Sequence, residues 1–125
     1  MAEKNHRIVL QRYPRCYVYI HYNPQKAKRG LWDVVYVGKG TRMRAWDDRN
    51  RSPAHARWLR DWQNLGFAPD EFVRIEFRKL TSKQAEKKEK ELIAFYRRKG
   101  ALLFNDGERA YDNKWLPDPQ FGELR

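Results

Sequence analysis

One carboxylate of this 125-residue chain lies where an apolar side chain is expected. In the segment 81–100, apolar residues recur at helical spacing at Ala85, Leu92, Ile93 and Tyr96. Glu89 falls inside that stripe, which should face the core. A buried carboxylate is costly unless a cation, a metal ion or fixed hydrogen-bond donors meet it. Glu89 is therefore a candidate metal ligand, and an internal ion pair with an arginine is the alternative.

Two phenols form a second candidate feature, because they fall on neighbouring predicted strands. The run 13–24 is rich in β-branched and aromatic residues and ends in the turn signal Asn23-Pro24. A second run, 31–40, follows a polar and basic loop over 25–30. The two runs therefore predict an antiparallel hairpin.

Alternation along these strands predicts which side chains share a face. One face of the first strand carries Tyr17, Tyr19 and His21, and one face of the second carries Val34, Tyr36 and Gly38. Cross-strand neighbours touch, so we expect Tyr19 and Tyr36 to lie close together. Ordinary aromatic packing on a sheet would give the same pair.

The net charge of the chain favours polyanionic partners. Its 27 Lys and Arg outnumber 16 Asp and Glu, so the net charge is +11, a field that attracts nucleic acid through phosphate contacts. One basic cluster, expected to track the phosphate backbone, consists of Arg42, Arg49, Arg51, Arg57 and Arg60. Charge alone does not separate DNA from RNA, or an enzyme from a binding protein.

The remaining elements must position these groups. Ser52-Pro53 caps a predicted helix that ends at Gly66, with Trp58 and Trp62 on its core stripe. The alternating run 71–80 predicts a third strand. Thr81 opens a long helix, with Gln84 completing a capping box. The predicted fold is α+β, with a small three-stranded antiparallel sheet flanked by helices.

Length and composition limit the organisation. We expect an N-terminal segment over 1–12, one domain over 13–107, and an irregular tail over 108–125 that contains aromatic residues and prolines. A single cysteine excludes an internal disulfide, and no spacing fits a zinc site. No run is long and apolar enough for a membrane helix or a signal peptide, so an intracellular, cytoplasmic location is expected.

Taken in order, these features resemble the GIY-YIG nuclease domain. Tyr17-Val18-Tyr19 stands where the family has Gly-Ile-Tyr, and Tyr36-Val37-Gly38 begins a YVGKG form of the second motif. Arg44 matches the arginine that follows, Glu89 precedes a Leu-Ile pair as the metal-binding glutamate does, and Asn105 matches the terminal asparagine after an apolar strand. The resemblance implies a metal-dependent endonuclease that hydrolyses DNA phosphodiester bonds.

The resemblance also implies roles. Glu89 would bind one Mg²⁺ or Mn²⁺, which accepts a single carboxylate together with water and phosphate oxygens. Arg44 would stabilise the charge that develops on the phosphoryl group. Asn105 would form a local hydrogen bond that fixes the phosphate or a loop.

The general base is less closely defined. We expect Tyr19 to act as the base and Tyr36 to orient the water, with Lys39 and Arg44 lowering the pKa of the phenol. Asp47 and Asp48 stand where several relatives carry a histidine. His55 is a possible auxiliary acceptor, although a polar residue near a helix start is more often on the surface.

Two other readings stay open. One is a catalytically inactive nucleic-acid-binding module on the same scaffold, suggested by Tyr17 in place of glycine. The other is an RNA-directed nuclease or a ribosome-associated basic protein, suggested by charge. Trp32 or Trp46 could stack on an unpaired base. The chain could act as a monomer or a homodimer, and its relatives occur in phage, mobile-element and restriction settings.

Overall fold

The computed structural model describes residues 15–107, and the segments 1–12 and 108–125 lie outside that range. The strands are β1 (Cys16–Tyr22), β2 (Val34–Gly40) and β3 (Val73–Leu80). The α-helices are α1 (Pro24–Ala27), α2 (Pro53–Asn64) and α3 (Ser82–Arg98). Short 3-10 turns cover Arg44–Trp46, Pro69–Glu71 and Phe104–Asp106. The sheet is antiparallel with the order β2-β1-β3, so the predicted α+β fold with three strands is confirmed.

The hairpin between β1 and β2 closes through a helical turn, where a polar loop was expected. The Asn23 side-chain oxygen accepts hydrogen bonds from the backbone N–H groups of Gln25 at 3.0 Å and Lys26 at 3.1 Å, which caps α1. The Lys26 ammonium contacts the Asp33 carboxylate at 2.8 Å. These contacts tie the two ends of the hairpin loop together.

A bulge in the hairpin changes the predicted faces. Tyr19 pairs with Gly38 and His21 pairs with Tyr36, but the next pair joins Tyr22 to Val34. Val35 is therefore the extra residue, and an extra residue reverses the alternation beyond it. Val34 packs in the cluster on the opposite face from Tyr19. The prediction that Val34 shares a face with Tyr36 and Gly38 is wrong for this reason.

The sheet separates two hydrophobic clusters. On the Tyr19 face, α2 packs the fully buried rings of Trp58 and Trp62 against the sheet. On the other face, the predicted stripe of α3 packs against Val18 and Ile20. Residues in that stripe are Ala85, Leu92, Ile93 and Tyr96. Both helix predictions are confirmed, and each helix has the expected cap, since Ser52 accepts from the His55 N–H at 3.3 Å and Thr81 from the Gln84 N–H at 3.1 Å.

The segment after α3 is not a strand. Residues 101–103 have no regular structure, and Asn105 lies in the 3-10 turn Phe104–Asp106. Leu103 and Phe104 are buried, one in each cluster. The apolar residues thus anchor the turn to the core instead of extending the sheet. Within residues 15–107, no helix has the length and apolarity needed to cross a membrane.

Candidate active site

The two candidate phenols lie together on β1 and β2, as predicted. The ring centroids of Tyr19 and Tyr36 are 6.1 Å apart with an interplanar angle of 41°. They are diagonal neighbours, because Tyr19 is paired with Gly38. A Cβ atom at Gly38 would lie 2.5 Å from the Tyr19 hydroxyl oxygen and 2.7 Å from Cε2 of Tyr36. Glycine at this position therefore makes room for both rings.

Arg51 organises this pair from the segment before α2. Its guanidinium donates hydrogen bonds to the Tyr19 hydroxyl at 2.6 Å, the Arg44 carbonyl at 2.7 Å and the Asp47 carbonyl at 3.0 Å. The same group lies 5.5 Å from the ring centroid of Tyr19 and 5.3 Å from that of Tyr36, within the range of a cation–π contact.

Arg51 was predicted to contact a DNA backbone, and the structure places it inside the protein site. The resemblance assigns no role to this position. The one sequence signal was its place directly before the Ser52 cap, which ties it to the start of α2. Its partners on β1 and β2 are distant in sequence, so the spacing along the chain did not reveal them.

The protonation state of Tyr19 differs from the expectation. Burial raises the pKa of its phenol to about 12, and the nearby Arg51 guanidinium offsets only part of that effect. The expected lowering of the pKa is therefore wrong in its net direction, because burial outweighs the charges of Arg51 and Arg44, and the cation in contact with the hydroxyl is Arg51. At neutral pH Tyr19 keeps its proton and is suited to hydrogen bonding, not to general-base catalysis.

A clamp from β1 holds the turn that carries Arg44. The Tyr17 hydroxyl donates to the Arg42 carbonyl at 2.7 Å and accepts from the Ala45 N–H at 2.9 Å. His21 Nε2 lies 2.7 Å from the Ala45 carbonyl oxygen and donates to it, because that oxygen can only accept. Both the backbone N–H and the backbone carbonyl of Ala45 are thus hydrogen-bonded. Tyr17 therefore has a structural role here.

The Arg44 side chain leaves this turn toward the surface. Its guanidinium donates to the Arg49 carbonyl at 2.6 Å and to the Asn50 carbonyl at 2.9 Å. Gly40 makes room for the stem of Arg44, since a Cβ at that glycine would lie 2.6 Å from the arginine Cβ. A partly exposed guanidinium on a fixed turn can exchange carbonyl partners for phosphate oxygens.

His55 is buried, which corrects its assignment to the surface. It is 2% exposed, and its Nε2 lies 2.9 Å from Nδ1 of His21. Since His21 Nε2 carries a hydrogen, its Nδ1 accepts from His55 Nε2–H. Burial lowers the pKa of His21 to about 3 and also lowers the pKa of His55. Both rings are neutral, and the His55 ring packs on Tyr36 at 4.3 Å between centroids and on Phe104 at 4.9 Å.

Glu89 is half-buried at the outer edge of β2. Burial raises the pKa of its carboxyl, while the charge and the backbone N–H of Lys39 act in the opposite direction. Within residues 15–107 the Glu89 carboxylate forms no ion pair with an arginine. The groups that favour its charged form are instead the charge and the backbone N–H of Lys39. Lys39 is the residue after Gly38, so β2 contacts the phenols through Gly38 and lies beside Glu89 through Lys39.

The residues present are compatible with a single hydrated metal ion. No cluster of three or more potential metal-ligating side chains occurs in the described part of the chain. A divalent ion at Glu89 would therefore take one protein carboxylate and complete its shell with water and phosphate oxygens. Mg²⁺ accepts such a shell, because it keeps several waters.

Asn105 holds the same edge of β2. Its side-chain oxygen accepts from the Val37 N–H at 2.9 Å, and its amide nitrogen donates to the Val37 carbonyl at 2.7 Å. The expectation of a local hydrogen bond is wrong, because the two residues are 68 positions apart. Asn105 instead fixes the strand that carries Tyr36.

The other predicted DNA contacts are exposed at the surface. Arg49 pairs with the Asp47 carboxylate at 2.8 Å, and this pairing lowers the pKa of Asp47 to about 2. Arg42 lies exposed beside the clamped turn, and Arg57 and Arg60 lie exposed on α2. The predicted arginine cluster therefore divides into surface cations and the inward-pointing Arg51.

Comparison of the chain with protein-family models, with curated proteins and with solved structures finds no match.

Proposed function

We propose that this chain is a metal-dependent endonuclease of the GIY-YIG type that hydrolyses DNA phosphodiester bonds. The observation that carries the proposal is the packing of Tyr19 and Tyr36 over Gly38, with Arg51 bound to the Tyr19 hydroxyl and Glu89 beside Lys39, the next residue of β2. Phenols, guanidinium groups and one half-buried carboxylate are the groups that phosphodiester hydrolysis can use. The net charge of +11 supports a polyanionic substrate.

Hydrolysis needs an oriented water and neutralisation of the charge that grows on the phosphoryl oxygens. A divalent ion held by Glu89 would supply positive charge at the phosphate and the leaving oxygen. Arg44 stabilises the phosphoryl charge from its clamped turn. Tyr36, which is less buried than Tyr19, orients the water.

Tyr19 has a supporting role in this mechanism. Its buried hydroxyl keeps its proton and accepts a hydrogen bond from Arg51, so Tyr19 positions Arg51 without touching substrate. Arg51 in turn holds the carbonyl of Arg44. Tyr19, Arg51 and the backbone of Arg44 thus form one hydrogen-bonded chain.

Cleavage of labelled DNA by wild type and by Glu89→Gln, with Mg²⁺ or EDTA, tests the proposal. Wild type with Mg²⁺ should cut, and either EDTA or Glu89→Gln should abolish cutting while DNA affinity stays within about three-fold. Glu91→Gln is the matched control, since Glu91 is exposed on the same helix and should leave cutting unchanged. Equal cutting by wild type and Glu89→Gln would refute the metal role.

A binding module on the same scaffold is the second candidate. Two observations favour it, namely the raised pKa of Tyr19 and the engagement of Arg44 with backbone carbonyls. It predicts tight binding of DNA without cutting under any metal condition. An RNA oligonucleotide in the same assay distinguishes an RNA-directed nuclease, which would cut the RNA and spare the DNA.

A further inference from the structure

A cavity of about 380 Å³ lies between the hairpin end and the C-terminal part of α3. Two of its lining residues are large exposed aromatics, Trp32 at 53% exposure and Phe95 at 42%. Its size falls in the range of pockets that hold small organic ligands. Exposed aromatic rings that line a cavity are suited to a flat, apolar ligand group.

A cationic side chain lies over each of the two exposed rings, Trp32 and Phe95. The Arg74 guanidinium lies 5.0 Å from the Trp32 ring centroid, and the Lys99 ammonium lies 5.3 Å from the Phe95 centroid. Platforms for unpaired nucleobases combine these two elements, because the rings stack on the base and the cations meet the phosphate.

The charge of the cavity favours an anionic ligand. Its one lining carboxylate, Asp33, is already bound by Lys26 at 2.8 Å. Lys99 also lines the cavity and has no carboxylate partner among residues 15–107. A ligand with a flat ring and a negative charge matches this lining.

The position of the cavity connects it with the candidate active site. Tyr96 lines the cavity and lies on the same stripe of α3 as Glu89, seven residues further along. Seven residues of α-helix extend about 10 Å. One DNA strand with a phosphate near Glu89 can therefore place a nearby nucleotide in the cavity.

We infer that this cavity binds an unpaired nucleobase of the DNA substrate, stacked on Trp32 and Phe95, with its phosphate near Lys99. The candidate nuclease is then directed to DNA that carries an unpaired nucleotide close to the cut. This inference rests on the proposed function for its substrate, and the cavity itself is measured separately by binding.

Binding is measured in EDTA with two labelled duplexes of the same sequence, one fully paired and one with a single bulged nucleotide. Wild type should bind the bulged duplex about ten-fold tighter, and Trp32→Ala should remove that preference. Leu31→Ala is the matched control, because Leu31 is adjacent, apolar and 49% exposed but does not line the cavity. Trp32→Phe, which keeps a ring, should retain part of the preference.

Stacking itself is read with 2-aminopurine as the bulged base, since its fluorescence falls when it stacks. Wild type and Leu31→Ala should quench it, and Trp32→Ala should not. Equal affinity for both duplexes, or an unchanged preference in Trp32→Ala, overturns the inference while leaving the nuclease proposal intact. A bulge preference that depends on Trp32, without any cutting in Mg²⁺, supports the cavity and refutes the nuclease.

Discussion

Tyr19 and Gly38 face each other across the β1–β2 ladder, and the phenol fills the space that a side chain at position 38 would need. A Cβ there would lie 2.5 Å from the Tyr19 hydroxyl oxygen. Packing thus explains why position 38 is a glycine. Displacing the hydroxyl would break its hydrogen bond with Arg51, which is 2.6 Å long.

Gly38→Ala should therefore destabilise the fold and disturb the site. Overpacking of this kind costs about 1–3 kcal/mol, measurable by urea unfolding. In a Tyr19→Ala background only the contact with Tyr36 Cε2, at 2.7 Å, remains, so the same substitution at Gly38 should cost less. Equal costs in the two backgrounds would show that the tyrosine is not the reason for glycine.

Arg51→Lys should reduce cleavage more than it reduces DNA affinity. Lysine cannot reproduce the three hydrogen bonds that the guanidinium makes, because its ammonium is a single point charge. We expect a stability loss of about 2 kcal/mol and a lower kcat with KM nearly unchanged. Arg60→Lys, on the exposed face of α2, is the control and should change neither. A change confined to KM would make Arg51 a substrate-binding residue only.

The His21–His55 pair should make the fold sensitive to mild acid. The pKa of His21 falls from 6.5 to about 3 on folding, and that of His55 is also lowered. The unfolded state then binds more protons below pH 6.5, so stability is complete above that pH and is lost as the pH falls toward 3. Urea unfolding at pH 7 and at pH 5 measures this loss of stability, because most carboxylates stay charged between the two pH values. In His21→Gln/His55→Gln the difference between the two pH values should shrink, and an unchanged difference would assign it to other groups.

Glu89→Gln should stabilise the protein while abolishing cleavage. Burial raises the pKa of Glu89, so its charged form is favoured less in the folded state, and its stabilising contribution is lost as the pH rises through the folded pKa. At pH 7 the neutral amide removes that cost and can still accept from the Lys39 N–H. Thermal unfolding provides the measurement. Mg²⁺ should raise the melting temperature of wild type but not of Glu89→Gln, and a less stable variant would contradict the prediction.

Asn105→Ala should weaken the outer edge of β2. It leaves the N–H and carbonyl of Val37 without their side-chain partners, which costs about 1–3 kcal/mol. Hydrogen exchange of the Val37 amide is the direct measurement, because that proton is bound only by Asn105 on this side of the strand. Unchanged protection would mean that another group replaces the amide.

Local signals in the sequence predicted the elements, because each depends on neighbouring residues. The Ser52-Pro53 cap, the Thr81 capping box and the alternation of β1 were read correctly in this way. The bulge at Val35 was missed, since nothing in the alternation of β2 marks an extra residue.

The details of the candidate site depend on contacts that are distant in sequence. The hydrogen bond between His21 and His55 spans 34 positions, and that between Arg51 and Tyr19 spans 32. Spacing along a single chain does not encode such pairs. The burial that raises the pKa of Tyr19 likewise comes from the packing of α2 on the sheet, which composition does not predict.

The same side chains that position β2 also block unwanted association. Asn105 binds both the N–H and the carbonyl of Val37, and the Glu89 carboxyl lies beside the backbone N–H of Lys39. On the other side of the sheet, two irregularities in the β1–β3 pairing and the left-handed backbone of Lys79 interrupt β3. Within residues 15–107, neither edge of the sheet therefore offers a regular template for strand addition by a second copy of the chain.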